Sequence, residues 1–278
     1  MARQYRHAAR AMEFSADDVT RTLHRLFIGD RGAALRKEDR QKVAELVPLL
    51  AEVRRAVGNR RRGTLVDLCA GKSALGLCAA ALVLPRDARG GCGWRIVIVE
   101  RDPGRAAAAR AAAGLVPDVD VDVVEGDVAT HALPAATRDA PVVVVALHAC
   151  GAASDVIVDR CVATPPSTLL LVPCCYGAHP ASTGGSHPIP GQRAASAFVD
   201  VLPRHGLVGR RLAQAIVDAE RTLRLEAGGF AIDVVEFVAA TVTPHNLLWR
   251  ARRVDEPPRR ARAAAAYARL VASPGQLR

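Results

Sequence analysis

The sequence has few aromatic residues, two methionines and no apolar stretch long enough to span a membrane. Tryptophan, tyrosine and phenylalanine together make up 4% of the 278 residues, so alanine, valine and leucine must build the core. The first residues also lack the apolar segment of a secretory signal peptide. Because a spanning helix takes about 20 consecutive apolar residues, we expect a cytoplasmic protein with no membrane segment.

The seven cysteines do not follow the pattern of a disulfide framework or of a zinc finger. Their number is odd, and no Cys-x-x-Cys pair occurs. Small secreted proteins held together by disulfides have an even set of cysteines at regular spacing. The sequence therefore predicts a reduced protein whose thiols serve packing, catalysis or metal binding.

The net charge of +10 is concentrated at the two ends of the chain. Residues 1–62 carry 15 basic and 8 acidic side chains, whereas residues 63–249 carry 15 and 18, and residues 250–278 carry 8 and 2. Basic segments that flank a mildly acidic centre indicate a polyanionic partner such as RNA. Solvated helix faces in an arginine-rich protein would give the same distribution, so both interpretations stay open. The sequence carries no signal for an oligomeric state.

Two helical patterns precede the rest of the chain. Ser15 is a good amino-terminal cap for the first, and a second amphipathic pattern covers residues 38–57, where Pro48 should break or kink it. We therefore predict a helical cap over residues 1–60 with no chemistry of its own. At the other end, residues 255–278 form a basic tail rich in arginine and alanine, either helical or frayed.

From residue 64 onwards the pattern alternates between apolar strands and helices, as in a doubly wound sheet with helices on both faces. Strands are expected at 64–68, 95–99, 121–124, 142–147 and 168–172, and two more at about 230–240 and 247–253. The sequence thus predicts one α/β domain over residues 61–254, built on a mostly parallel, seven-stranded, Rossmann-like sheet.

Acidic residues stand at the ends of three successive predicted strands. Asp67 ends the first and is followed by a turn of small residues that leads into a helix, the arrangement of a nucleoside-binding turn. Glu100 ends the second, where a carboxylate can accept hydrogen bonds from both ribose hydroxyls. Asp127 follows the third, within reach of an adenine amino group. Cys69, Gly71 and Lys72 of the first turn complete the candidate cofactor set.

Two other nucleotide motifs compete for the turn after the first strand. Its last residues imitate a P-loop, but that motif needs a glycine where this chain has Val66. A dinucleotide fingerprint needs small residues at three positions, and Cys69, Gly71 and Ala74 come close. The third acidic strand end fits a methyl-donor site better, because the second half of a dinucleotide would lie there.

Four segments resemble a known family: DLCAGKSALGL, ALHACGAASD, LLLVPCCYG and TPHNLLWRARR. They are similar to the class I S-adenosylmethionine-dependent methyltransferase domain of glutathione S-transferase C-terminal-domain-containing proteins, and more loosely to tRNA 2′-O-methylases. The resemblance implies S-adenosylmethionine as the cofactor, with Asp67, Gly71, Glu100 and Asp127 at its positions. Related enzymes often have glycine where this chain has Cys69 and Ser73.

Reactive side chains are expected where the fourth and fifth strands end. His148 follows the fourth strand, Cys174 and Tyr176 follow the fifth, and Asn246 lies in the turn before the last strand. His148 is interpreted as a general base or a positioning group that also lies beside the cofactor. A cysteine nucleophile, a soft-ligand metal site and plain packing of the thiols are the alternatives, and we predict no metal.

Together these features predict a methyltransferase that acts on RNA, either tRNA or rRNA. A protein or small-molecule substrate is the main alternative. A module that binds S-adenosylmethionine or RNA without turnover is the alternative from another class.

Overall fold

The computed structural model describes residues 14–29, 36–174 and 205–272, and its elements follow the predicted alternation. The predicted Tyr176, Cys175, the loop at 177–192 and the helix at 193–204 lie outside the described residues. The strands are β1 (Arg62–Leu68), β2 (Gly93–Glu100), β3 (Asp120–Glu125), β4 (Val142–Ala149), β5 (Thr168–Pro173), β6 (Phe230–Glu236) and β7 (Leu247–Arg253). The helices are α1 (Ala16–Phe27), α2 (Lys37–Val57), α3 (Ala74–Leu82), α4 (Pro103–Ala113), α5 (Ala153–Ala163), α6 (Gly206–Ala227) and α7 (Pro257–Val271).

The seven strands form one sheet in the order β3-β2-β1-β4-β5-β7-β6. Strands β1 to β5 are parallel to one another, and β7 pairs antiparallel with both β5 and β6. The predicted mostly parallel, seven-stranded sheet is confirmed. Because successive strands run outward from β1 in one direction and from β4 in the other, the crevice beyond the carboxyl ends of β1 and β4 is the expected ligand site.

Helices cover both faces of the sheet. Helices α1 to α4 pack on one face, where α1 and α2 share a continuous apolar core with β1, β2 and β4. Helices α5 and α6 pack on the other face, against the alternate side chains of the same strands. The two amino-terminal helices are therefore part of the wall of the domain that holds the candidate site.

Helix α2 runs without interruption through Pro48. A proline inside a helix removes one hydrogen bond and costs about 3 kcal/mol or more. This cost is offset by a long apolar face, since burial of one leucine contributes about 1.5–3 kcal/mol and Leu46, Leu49 and Leu50 are all buried. The predicted break at Pro48 is therefore wrong, and the alternative of a kink stays a prediction.

A buried ion pair fastens α6 to α5. Both Nε and Nη2 of Arg221 donate to the carboxylate of Asp155 at 2.9 Å, and both residues are almost fully buried. Asp155 lies in the first turn of α5. It is not the ordinary exposed carboxylate that such a position usually holds, because it anchors a second helix. The tail is helical over α7, which packs along α6.

Candidate functional site

The turn after β1 is tightly folded and organised by Asp67. Three residues of the turn, Cys69, Gly71 and Ser73, have φ between 54° and 59°. The Asp67 Oδ2 accepts hydrogen bonds from the Ser73 hydroxyl at 2.7 Å and from the Gly76 N–H at 3.0 Å. The carboxylate therefore joins the strand to the start of α3 and holds the small-residue turn in place.

Asp67 was predicted as a cofactor position, and the structure places its carboxylate inside the protein, where only 1% of the residue is exposed. Burial raises the pKa of Asp67 to about 7, and the neighbouring Glu100 carboxylate adds to the increase, while the two hydrogen bonds oppose it. Its direct contribution is to the shape of the turn. Gly71 faces open space, with no heavy atom within 4 Å of the position that a Cβ would take.

The raised pKa of Asp67 predicts a pH-dependent stability. The unfolded chain loses this proton near pH 3.8, whereas the folded protein keeps it to about pH 7. Stability should therefore fall as pH rises through this window, by up to about 4 kcal/mol. Asp67→Asn should flatten the decline of the melting temperature between about pH 5 and about pH 8. The half-buried Asp122→Asn is the control, and parallel curves for wild type and Asp67→Asn would contradict the assignment.

Glu100 lies at the carboxyl end of β2 and faces the turn. Its Oε2 accepts from the Gly71 N–H at 2.7 Å, and its Oε1 accepts from the Asp102 N–H at 2.9 Å. A carboxylate has about four lone-pair sites, so two acceptor sites remain for a ligand. The structure thus brings Glu100 and Gly71 together, as the acidic strand end and the glycine turn predicted.

The other predicted cofactor residues lie around the same turn. Asp127 follows β3, is half exposed, and accepts from the Ala129 N–H at 2.8 Å. Lys72 is exposed at the start of α3. Cys69 is partly buried, and its burial, together with the charges of Glu100, Asp67 and Asp127, raises its pKa to about 11. The Cys69 thiol therefore stays protonated at neutral pH.

His148 lies in a bulge at the end of β4. Its φ is 60°, and the register between β4 and β5 shifts between Leu147 and Ala149. Alternation from Val143, Val145 and Leu147, which face α1–α4, would send the next side chain to the opposite face. The left-handed residue turns the ring back instead, since bulges re-aim side chains and often lie beside active sites.

The His148 ring meets Glu45 of α2, a residue that the sequence pattern alone did not single out. Nε2 of His148 is 3.1 Å from Oε2 of Glu45, and Nζ of Lys42 lies 3.0 Å from the same oxygen. Burial raises the pKa of Glu45, but the contacts with His148 and Lys42 outweigh it, so that the net pKa is lowered. The predicted helical cap therefore contacts a candidate site residue. The sequence feature that could have identified Glu45 is that it is an acidic residue on the apolar face of α2.

Cys174 lies beside this site but has no free thiol. It forms a disulfide with Cys150, with the Cα atoms 5.3 Å apart, and its Sγ is 3.6 Å from the His148 carbonyl oxygen. A disulfide sulfur has no proton to donate, so the latter is a packing contact. The interpretations of Cys174 as a nucleophile or as a reduced packing residue are wrong, and so is the expectation that all thiols are reduced.

Asn246 lies at the same edge of the sheet. Extending the β5–β7 register by three residues places it opposite Cys174. It is buried, and its amide donates to the Val238 carbonyl at 3.0 Å, so it stabilises the bend between β6 and β7. Burial lowers the pKa of the adjacent His245, and the charge of the His148 imidazole lowers it further.

The described residues show neither a candidate metal centre nor a candidate membrane helix. In residues 14–29, 36–174 and 205–272, no three side chains among His, Cys, Asp and Glu converge as metal ligands would. Over the same ranges, none of the helices combines the length and the apolar character needed to cross a membrane.

A family model described as a methyltransferase domain matches residues 38–179. The chain belongs to this family. The matched range begins in α2 and includes all the strand ends of the candidate site except Asn246. The chain therefore contains a methyltransferase domain on the predicted Rossmann-like sheet, and such a domain implies S-adenosylmethionine as the methyl donor.

Similar proteins include the glutathione S-transferase C-terminal domain-containing proteins of Bos taurus and Homo sapiens. They are 30% and 29% identical to this methyltransferase over 117 residues, which cover 37% of this chain. The aligned part spans only 18% of the length of these relatives. The resemblance to these proteins, inferred from four sequence segments, is confirmed, and the looser one to tRNA 2′-O-methylases stays a prediction.

Solved structures that resemble the methyltransferase include two enzymes. The 23S rRNA methyltransferase ErmE is 16% identical, with a TM-score of 0.41, over 80% of this chain and 74% of that chain. The magnesium protoporphyrin IX methyltransferase of Synechocystis PCC 6803, with bound S-adenosylhomocysteine, is 13% identical, with a TM-score of 0.44, over 84% and 94%.

The residues at the crevice fit the methyl donor. Gly71 leaves open space above the turn after β1. Glu100, at the end of β2, has acceptor capacity beside it, and Asp127, after β3, is half exposed. A nucleoside needs this set: a turn that lets it approach the backbone, and carboxylates that accept from hydroxyl and amino groups.

Proposed function

We propose that this methyltransferase transfers a methyl group from S-adenosylmethionine to RNA, with His148 beside the acceptor atom. The observation that carries the proposal is the position of His148. Its bulge places an imidazole at the end of β4, across the crevice from the turn after β1. The basic terminal segments support RNA as the substrate class.

The cofactor residues have distinct tasks in this proposal. Glu100 would accept from the ribose hydroxyls, Asp127 from the adenine amino group, and the backbone around Gly71 would lie against the amino-acid part. When bound, S-adenosylmethionine supplies an electrophilic methyl group on a sulfonium sulfur. Asp67 would hold the turn, as its two hydrogen bonds already do.

In this proposal His148 accepts the proton that the methyl acceptor loses. A hydroxyl or amino group that gains a methyl group must lose a proton, and histidine is the side chain best suited to accept one near neutral pH. The His148 side chain is 24% exposed. A general base at this place is the arrangement that transfer to an oxygen or a nitrogen needs.

The arrangement of basic residues favours a polymeric substrate. The candidate site lies at the carboxyl edge of the parallel strands β1 and β4. Arg61 and Arg62 lie at the start of β1, and Arg252 and Arg253 lie at the end of antiparallel β7, so all four are at the opposite edge of the sheet. A strand of seven residues spans about 23 Å. A partner that reaches both edges must be longer than a free nucleotide.

Binding of RNA should therefore depend steeply on salt, because phosphate contacts release counterions. Arg252→Glu/Arg262→Glu reverses two exposed charges of the carboxyl-terminal segment and should reduce the salt slope by about 2. Arg89→Glu/Arg110→Glu makes the same change of charge in the acidic central segment and should have a smaller effect. Fluorescence anisotropy with labelled tRNA and rRNA fragments over a salt series measures both.

The opposite result would redirect the assignment of substrate. If the wild-type protein binds no RNA at low salt, or if both double variants lose affinity equally, the terminal segments are not a binding surface for RNA. A protein or a small molecule would then be the acceptor, and S-adenosylmethionine binding would be unaffected in either case.

A further inference from the structure

The side chain of Glu45 is placed where a core residue would be expected. It lies between Val43 and Leu46 on the buried face of α2, and only 2% of it is exposed. A buried carboxylate costs several kcal/mol unless it is paired and hydrogen-bonded. Glu45 has two partners, Lys42 one turn earlier on the same helix and His148 at the end of β4. The contact with His148 joins residues 103 positions apart in the sequence.

The charge of Glu45 decides which nitrogen of His148 carries the hydrogen. The pKa of Glu45 lies below its ordinary value, so the side chain is ionised at neutral pH and can only accept hydrogen bonds. The His148 Nε2 must therefore donate, and in the neutral ring the lone pair is then on Nδ1. Within the described ranges, the His148 Nδ1 has no hydrogen-bond partner, and because this atom is buried, an acceptor reaches it only by displacing the groups that cover it.

An unpartnered buried nitrogen normally costs free energy, and most native structures avoid it. In this structure it lies on a residue that is held in a left-handed conformation within a bulge. Strained residues persist where the surrounding structure fixes them, and they cluster at active sites. Glu45 on one side and the bulge on the other together fix the ring with its basic nitrogen uncommitted.

We propose that Glu45 is a positioning residue that holds His148 as the Nε2–H tautomer, so that Nδ1 accepts the proton of the methyl acceptor. This rests on the proposed function of His148 as the base. The acceptor lone pair forms the new bond to the methyl carbon, and the carbon–sulfur bond electrons stay on sulfur as a neutral thioether. The acceptor proton passes to Nδ1, and Glu45 stabilises the resulting imidazolium, which water later deprotonates.

The direct test is the tautomer of His148, measured by long-range proton–nitrogen NMR on protein labelled with ¹⁵N-histidine and assigned with His148→Asn. In the wild-type protein the neutral ring should carry its hydrogen on Nε2. In Glu45→Gln the tautomers should become mixed, because an amide can donate as well as accept. The same variant should lower kcat by about 10- to 100-fold, with the Kd for S-adenosylmethionine unchanged.

Glu52→Gln is the matched control, since Glu52 lies seven residues further along α2 and pairs with Arg55 and Arg250. It should leave both the His148 signals and kcat unchanged. An Nδ1–H tautomer in the wild-type protein would overturn the proposal without any variant, and so would a Glu45→Gln protein with wild-type signals and kcat. If the tautomer changes as expected but the wild-type protein methylates no RNA, the contact stands and the proposed function fails.

Discussion

Replacement of His148 by asparagine should lower the rate of methyl transfer by about 10²–10⁴-fold, the range that removal of a general base produces. Asparagine is chosen because it tolerates the left-handed conformation at this position, where φ is 60°. The variant keeps the bulge but has no group that can accept a proton near neutral pH. Transfer of a radiolabelled methyl group from S-adenosylmethionine to tRNA or rRNA measures the loss.

The affinity for S-adenosylmethionine is the control for this variant. His148→Asn should bind the methyl donor with a Kd close to that of the wild-type protein, because the ring contacts α2 instead of the turn after β1. An unchanged transfer rate would remove His148 from the mechanism. A rate that falls together with the melting temperature and the donor affinity would show damage to the fold and not to the chemistry.

Replacement of Glu100 by alanine should weaken S-adenosylmethionine binding by about 100-fold or more. The variant loses two hydrogen bonds to a charged group, each contributing about 1.5–3 kcal/mol, and about 2.7 kcal/mol is roughly a 100-fold change in Kd. It also leaves the Gly71 and Asp102 N–H groups without their acceptor, which loosens the turn. Asp127→Ala should have a smaller effect, because its side chain is half exposed.

Asp122→Ala is the control for Glu100, since Asp122 lies within β3 and pairs with the exposed Arg95. Titration calorimetry of each variant with S-adenosylmethionine gives the Kd values. If Glu100→Ala binds as tightly as Asp122→Ala, the donor does not lie across the end of β2, and the assignment of the crevice is wrong.

The sequence predicted the sheet because its signals are local. Apolar strands and amphipathic helices alternate with clear boundaries, and the acidic residues Glu100 and Asp127 stand where their strands end. Parallel strands bring their carboxyl ends to one edge, so the cofactor candidates converge as soon as the topology is known. The capping box at the start of α1 is a local signal as well, because Ser15 and Asp18 are only three positions apart.

The contacts that set the details of the site are not local. Glu45 and His148 are far apart in the chain, and only the packing of α2 against β4 brings them together. The direction of the His148 ring depends on one left-handed residue, which strand alternation alone does not predict. The Cys150–Cys174 bond depends on the register of β4 and β5, and an odd cysteine count cannot reveal it.

The inward position of Asp67 has the same kind of cause. An acidic residue at the end of a first strand fits both a ligand contact and a brace for the turn that follows. In the structure Asp67 braces the turn, because the Ser73 hydroxyl and the Gly76 N–H both donate hydrogen bonds to its carboxylate. That choice depends on three left-handed residues in the turn, and two of them are not glycine.

The most direct test of the central claim is calorimetric titration of the wild-type protein with S-adenosylmethionine and, separately, with NAD. The crevice formed by Gly71, Glu100 and Asp127 should bind one molecule of S-adenosylmethionine per chain and give no saturable signal with NAD. Saturable binding of NAD, with none of S-adenosylmethionine or S-adenosylhomocysteine, would contradict it.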